Sequence, residues 1–229
     1  MAIHFSDHAT HADLTVGRTH IVLEKEGHFT ASRADFLVNP AQPKLTGGGG
    51  LDKVIHDAAG PALKEACKHI PYAHGKVRCP TGEARLTHAA NLPQAYVVHT
   101  VGPKISGRVS KDDKQKLWNS YHNCLVMAEE FCEHLKNPGK RHPSWMDKVH
   151  SSKEAALKRK LAAGSASITF CCISTGSYDY PADKASKVAV KALVDFARNH
   201  PNVVREIHIS CAKGQKDIPH IVTAMSKAK

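Results

Sequence analysis

Apolar positions along this 229-residue chain recur with two alternating periods, one near two residues and one near 3.6. Residues 15–24 are β-branched and partly alternating, the pattern of a strand. A short apolar run at 34–38, bounded by Asp35 and Asn39-Pro40, predicts a buried strand that ends in a loop. Leu51, Val54, Ile55 and Ala58 then recur at helical spacing; Gly60-Pro61 interrupts that helix, and a second piece runs to about residue 69. Residues 95–101 read as another buried strand. The longest periodic helix spans 112–135, with Leu117, Tyr121, Cys124, Leu125, Ala128, Cys132 and Leu135 on one stripe. A strand at 167–173 and a helix at 181–199 follow, then a strand at 206–211 and a closing helix at 217–227. Strands alternating with helices predict an α/β layered fold with a mixed, mostly parallel central sheet.

Two stretches fall outside that rhythm. Residues 1–14 read as an N-terminal tail before a single domain at 15–229. Residues from about 136 to 166 are rich in Lys, Arg, His and Pro and form a basic insertion. Within it, Ser151 and Glu154 have capping-box spacing ahead of a helix containing Leu157 and Leu161. A connection of that length is more often functional or mobile than structural.

A 41% hydrophobic content excludes full disorder, and no apolar run approaches the roughly 18 residues of a membrane span. The first 13 residues lack the apolar core of a secretion signal, so an intracellular protein is expected, cytoplasmic or nuclear. Thirty-two Lys and Arg against 21 Asp and Glu give a net charge of +11, which favours anionic partners or simply a solvated basic surface. Aromatic residues make up only 6% of the chain, which weakens the case for stacking single-stranded nucleic acid. The seven cysteines include no CxxC pair and predict reduced core thiols, with neighbours Cys171 and Cys172 on opposite faces of a strand.

Chemistry concentrates where strands give way to helices. Gly47, Gly48, Gly49 and Gly50 stand directly before a helix, where backbone amides and the helix N-terminus can surround a phosphate; a flexible hinge is the alternative. Ser174, Thr175, Gly176, Ser177 and Tyr178 follow another strand in the same way, so the two loops could hold a diphosphate between them, with Tyr178 as a wall against a sugar. No GxxxxGK[ST] motif occurs.

These residues carry a family likeness. The stretch Val38-Asn39-Pro40-Ala41-Gln42 is followed by the glycines with Leu51 and Asp52, and then by Ile55-His56-Asp57-Ala58-Ala59-Gly60-Pro61. Cys79-Pro80-Thr81-Gly82-Glu83-Ala84, Leu92-Pro93, His99-Thr100-Val101-Gly102-Pro103 and residues 173–181 come next. In that order the chain resembles a macrodomain of the MacroD-like ADP-ribosyl hydrolase class, over about 15–210 apart from the insertion. The resemblance implies a three-layer α/β/α fold and a cleft for ADP-ribose or an ADP-ribosylated protein. It implies hydrolysis of mono-ADP-ribose from Asp or Glu side chains, or of O-acetyl-ADP-ribose; a reader that binds without cutting is the alternative. The glycines and Leu51 would wrap the proximal phosphate and distal ribose, and 174–178 would close over the diphosphate. Asp52 falls where the hydrolases keep a catalytic carboxylate, with Gln42 and Asn39 orienting the ribose.

Three positions depart from the family pattern. Gly27-His28-Phe29-Thr30 replaces Gly-Asp-Ile-Thr, so His28 offers a ring nitrogen to adenine where the family has a carboxylate, with Phe29 available to stack. Gln42 replaces an Asn, adding a methylene. Asp179 replaces a Gly, adding charge near the diphosphate.

Other candidates carry less. His4, His8 and His11 would share a face if the tail were helical, with Asp7 and Asp13 nearby, but a solvated tail is the preferred reading and no metal is assigned. His56 and His99 read as packed or hydrogen-bonded supports. Lys153, Lys158, Arg159 and Lys160 give the insertion weak potential for nucleic acid or poly-ADP-ribose and otherwise form a solvated face. A monomer with no cofactor and no membrane contact is expected.

Overall fold

The computed structural model describes residues 3–139, 143, 145–200 and 203–228. Its strands are β1 (Ile3–Asp7), β2 (His11–Val16), β3 (Thr19–Glu24), β4 (Phe36–Pro40), β5 (Ala84–His88), β6 (Tyr96–Thr100), β7 (Ala166–Phe170) and β8 (Val204–Ser210). Its helices are α1 (Gly50–Ala59), α2 (Pro61–Lys68), α3 (Lys111–Lys136), α4 (Glu154–Ala162), α5 (Ala182–Asn199) and α6 (Ile218–Ser226). The strands form one sheet in the order β1-β2-β3-β8-β7-β4-β6-β5. The pairings among β3, β8, β7, β4 and β6 are parallel, and the flanking ones are antiparallel.

Side-chain parity along the strands assigns the layers. Phe36 and Val38 of β4 join the large core that holds α3, α4, α5 and α6, together with Tyr96, Ile168, Phe170, Ile207 and Ile209. Leu37, between them, faces a second core with Ile55, Ala59 and Leu63 of α1 and α2. Each such buried aliphatic side chain contributes roughly 1.5–3 kcal/mol. The result is the expected α/β/α sandwich with a mixed sheet.

Several expectations are corrected. Residues 15–24 are not one strand: β2 and β3 form a hairpin that turns at Gly17, whose φ is +62°. Residues 3–14 do not form a solvated tail, because β1 and the first part of β2 belong to the sheet and Ala12 and Leu14 are fully buried. The helix that would have aligned His4, His8 and His11 is absent for the same reason. Strand β5 starts at Ala84, where the Cys79–Ala84 motif ends, and has no counterpart among the predicted elements. The strand expected at 167–173 ends at Phe170, so Cys171 and Cys172 lie beyond it, and Cys172 Sγ sits 3.5 Å from Cys211 Sγ. All seven cysteines are free thiols.

The insertion is anchored where the sequence suggested a solvated face. Leu157 and Leu161 of α4 are buried in the large core. Lys153 bonds the carbonyls of Ala90 and Leu92, Lys158 pairs with Glu154 at 2.7 Å, and Lys160 reaches Asp35 at 2.7 Å. The buried Asp35 also accepts from Ser167 N and Oγ, so its charge is compensated. The capping box is not formed: Lys153 is the N-cap of α4, and Glu154 accepts instead from Tyr96 Oη at 3.0 Å. No helix among the described residues is long and apolar enough to cross a membrane.

Candidate functional site

Beyond the carboxyl ends of β4 and β7, two loops enclose a cavity of about 350 Å³. This is where an open parallel sheet places ligands. Gln42, Gly48, Gly49, Leu51 and Asp52 line one side; Ser174, Gly176, Ser177 and Tyr178 line the other. A Cβ added at Gly50 would lie 3.6 Å from Ser177 Oγ, so the loops approach one another above the cleft. Gly47 and Thr175 stand behind the lining. Gly47 has φ +72°, and a Cβ there would come 2.9 Å from His56 Cγ, which reserves the position for glycine. Thr175 Oγ1 donates to Cys172 O and holds its loop.

Gly49 caps α1 with extended backbone and no side-chain bond, leaving first-turn N–H groups unclaimed by a capping side chain. Asp52, in that first turn, reaches back to accept from Gly48 N at 2.7 Å through Oδ2. Its other oxygen, Oδ1, accepts from Asn39 Nδ2 at 2.8 Å. The carboxylate is thus gripped on both oxygens, 3% exposed, and still on the cavity wall.

Asn39 reaches Asp52 from inside the protein. It is fully buried and is not among the residues that line the cavity, so its side chain meets the carboxylate from the protein side. Its Nδ2 also approaches His99 Nδ1 at 3.1 Å. Because Asn39 donates, His99 Nδ1 accepts, and the ring proton assigned by this network sits on Nε2, facing Thr87 Oγ1 at 2.9 Å. Burial, with the neighbouring His56 as a smaller cause, pushes the His99 pKa down to about 3, so the ring is neutral at physiological pH. Asn39 and His99 are therefore positioning residues for Asp52.

His56 stands one helical turn beyond Asp52, with Nε2 3.5 Å from Asp52 Oδ1. Burial lowers its pKa, against the opposing pull of the Asp52 charge. Its ring lines a second recess of about 380 Å³ with Gly47, Gly48, Lys53 and Lys64, and Gly48 is shared with the cleft. The reading of His56 and His99 as supports agrees with these contacts. Thr87 and Cys67, which complete the buried network, carried no sequence signal as isolated polar residues.

Gln42 keeps a place on the cleft wall despite its extra methylene. Its Nε2 donates to Thr46 Oγ1 at 2.5 Å, and its side chain packs over Gly48. Tyr178 lines the cleft half-buried, its phenol pKa raised by burial and then by the Asp52 charge. Ser174 takes φ +69°, and its buried Oγ has no partner among the described residues. Gly102 was missed as a site residue: it lines the cavity, and a Cβ there would fall 2.1 Å from Ser174 Oγ. Asp179 is exposed with φ +53°, which explains why glycine suits this position.

The structure does not bring His28 and Phe29 into this cavity. His28 is exposed, and Phe29 is half-buried among the same apolar neighbours as Leu51. Their loop is tied to the sheet by Gly27 N donating to Cys211 O at 2.8 Å.

Comparison with known proteins bears on this geometry. The model of the Macro domain family matches residues 38–189. A Shigella flexneri protein named O-acetyl-ADP-ribose deacetylase is 38% identical over 184 residues, covering 80% of this chain and 82% of its own. The structure of an Oceanobacillus iheyensis macrodomain with ADP aligns with a TM-score of 0.69 at 24% identity, covering 99% of this chain and 97% of its own. That of a Trypanosoma brucei macrodomain in complex with ADP-ribose aligns at 0.62 and 30% identity, covering 89% and 68%.

Proposed function

Since this chain belongs to the macrodomain family, we propose that its cleft binds ADP-ribose and that Asp52 directs water against an ADP-ribosyl ester. The substrates are O-acetyl-ADP-ribose and the esters of ADP-ribose with Asp or Glu side chains. The observation that carries this reading is the Asp52 carboxylate, fixed through both oxygens on the wall of a cleft bounded by two amide-rich loops.

Each part of the cleft has a physical role in that reaction. The first-turn amides of α1 and the 174–178 loop offer hydrogen-bond donors to a diphosphate, helped by the positive end of the helix. Gln42 and Tyr178 face the ribose between them. Asp52 orients a water through its free lone pairs and takes one proton as the water oxygen bonds to the acyl carbon. The ester C–O bond then breaks toward the ribose oxygen, which receives that proton. The products are ADP-ribose and the carboxylic acid, and atoms balance with water as the only co-reactant. Asn39, His99 and His56 keep the carboxylate in line throughout, since a displacement of about 1 Å costs on the order of a hundredfold in rate.

The test is incubation with O-acetyl-ADP-ribose and with a protein mono-ADP-ribosylated at Asp or Glu, with chromatography to follow ADP-ribose formation and calorimetry to measure ADP-ribose affinity. Turnover and binding together support the proposal. Binding without turnover of either ester makes the protein a reader, and absence of both overturns the reading. The bonds of Lys153, Lys158 and Lys160 within the fold argue against the insertion as a nucleic-acid surface.

A further inference from the structure

We propose that the turn between β1 and β2 carries a binding site for a divalent transition-metal ion, zinc being the reference case, formed by His8, His11 and Asp13. The three side chains each direct one ligand atom into a common space, all within 4.8 Å of one another. His11 Nε2 lies 3.2 Å from Asp13 Oδ2, and His8 Nε2 lies 3.9 Å from the same oxygen. Ligand atoms bound to one ion at about 2.1 Å stand roughly 3.0–3.4 Å apart. The first separation already fits, and the second closes by a small swing of the exposed His8 side chain.

The scaffold of this turn is built from bonds that leave the ligand atoms unclaimed. His8 N donates to His11 O at 2.8 Å, and Lys25 N donates to Thr10 O at 2.8 Å. Lys25 Nζ reaches His8 O and Asp7 Oδ1, so the lysine charge is already paired beside the site. His11 and Asp13 project from the same face of β2 because they are two residues apart. Thr10 Oγ1 engages His11 Nδ1 at 3.2 Å, which orients the ring so that Nε2 faces Asp13. Such an outer bond to the second imidazole nitrogen is the usual support of a metal-bound histidine. The two imidazole rings are stacked, 4.6 Å between centroids with their planes 28° apart. Two imidazoles and a carboxylate form a borderline donor set suited to Zn²⁺ and its first-row neighbours, with water completing the coordination.

A second cluster among the described residues, His56, Cys67 and His99, has comparable spacing. Both nitrogens of His99 are already engaged, by Asn39 and Thr87, and burial pushes the Cys67 thiol up to about 12. Among the described residues the hairpin cluster has no such competing bonds at its Nε2 atoms beyond those to Asp13. His11 pairs with Glu24, where β3 ends, so the site stands at the same end of the sheet as the cleft. It is four strands from β4, about 19 Å at ~4.8 Å per strand, so the ion would take no part in ester hydrolysis.

The experiment titrates chelator-treated full-length protein with Zn²⁺ in a calorimeter and then with Co²⁺ in a spectrophotometer. The expected result is one ion per chain, with binding lost in His11→Ala and Asp13→Asn and about tenfold weaker in Thr10→Val. Cys67→Ser and Asp52→Ala should bind as the unaltered chain does, and the Co²⁺ spectrum should lack the intense thiolate charge-transfer band. Circular dichroism of each variant verifies the fold. Zn²⁺ binding that is absent, that persists unchanged in Asp13→Asn, or that disappears in Cys67→Ser with a thiolate band in the unaltered chain would overturn the proposal.

Discussion

Asn39 holds Asp52 from beneath: its buried amide donates at 2.8 Å to a carboxylate oxygen on the wall of the cleft. The strand pleat accounts for this. Asn39 shares parity with Leu37 on β4, and that face of the strand packs against α1, which carries Asp52. Replacing Asn39 by Ala removes a donor from both Asp52 and His99. The expected outcome is a fall in turnover of roughly a hundredfold, with a loss of about 1–3 kcal/mol in stability from the acceptors left unpaired. Steady-state kinetics with ADP-ribose calorimetry checks it, since a residue that contacts the ribose directly would lose affinity as well.

Gly47 is the glycine of its run least able to change. Its φ of +72° and the ring of His56 against it leave no room for a side chain. Gly47→Ala should cost about 1–3 kcal/mol by chemical denaturation. Gly49 has open space around it and no positive φ, so Gly49→Ala should cost less, no more than the ~1 kcal/mol by which alanine is the poorer N-cap.

Stability should depend on pH through His99. Its folded pKa, near 3, lies below the unfolded value of about 6.5, so the unfolded chain binds the extra proton. The contribution is fully present above pH 6.5 and is lost as pH falls toward 3. By pH 5 this residue alone should remove about 2 kcal/mol. His56, His88 and His122 are held down in the same direction, burial being the first cause in each. Urea midpoints between pH 7 and pH 5 test this, with His99→Gln expected to flatten the profile by about one proton. An unchanged profile in that variant contradicts the assignment.

Asp179 carries backbone strain that glycine would relieve. At φ +53° an exposed side chain gains nothing from its conformation. Asp179→Gly should stabilise the fold by up to about 1 kcal/mol, read as a rise in Tm, and should leave the cleft lining unchanged.

Much of the architecture was legible in the chain. The helical stripes of α1, α3 and α5 and the apolar runs of β4, β6 and β7 are long enough to declare their period. The N-terminal hairpin was not, because Ala12, Leu14 and Val16 alternate with His11, Asp13 and Thr15 in a short polar setting that resembles a tail. Strand β5 was hidden by Arg85, Thr87 and His88, polar residues at an edge whose role depends on partners far along the chain, such as His99 for Thr87. At the site, the glycine run and the strand ends pointed to the two loops, and Asp52 was singled out only by the family resemblance. Neither signal could distinguish Asn39 beneath the carboxylate from Gln42 beside the cleft, since residue type alone does not fix which way a side chain faces.

The most direct test of the account compares the native chain with Asp52→Ala on a protein mono-ADP-ribosylated at Asp or Glu, by intact-mass spectrometry and ADP-ribose calorimetry. The account predicts release by the native chain, a rate lower by about 10²–10⁴-fold in the variant, and ADP-ribose affinity largely kept. Equal rates of release from the two proteins would contradict it.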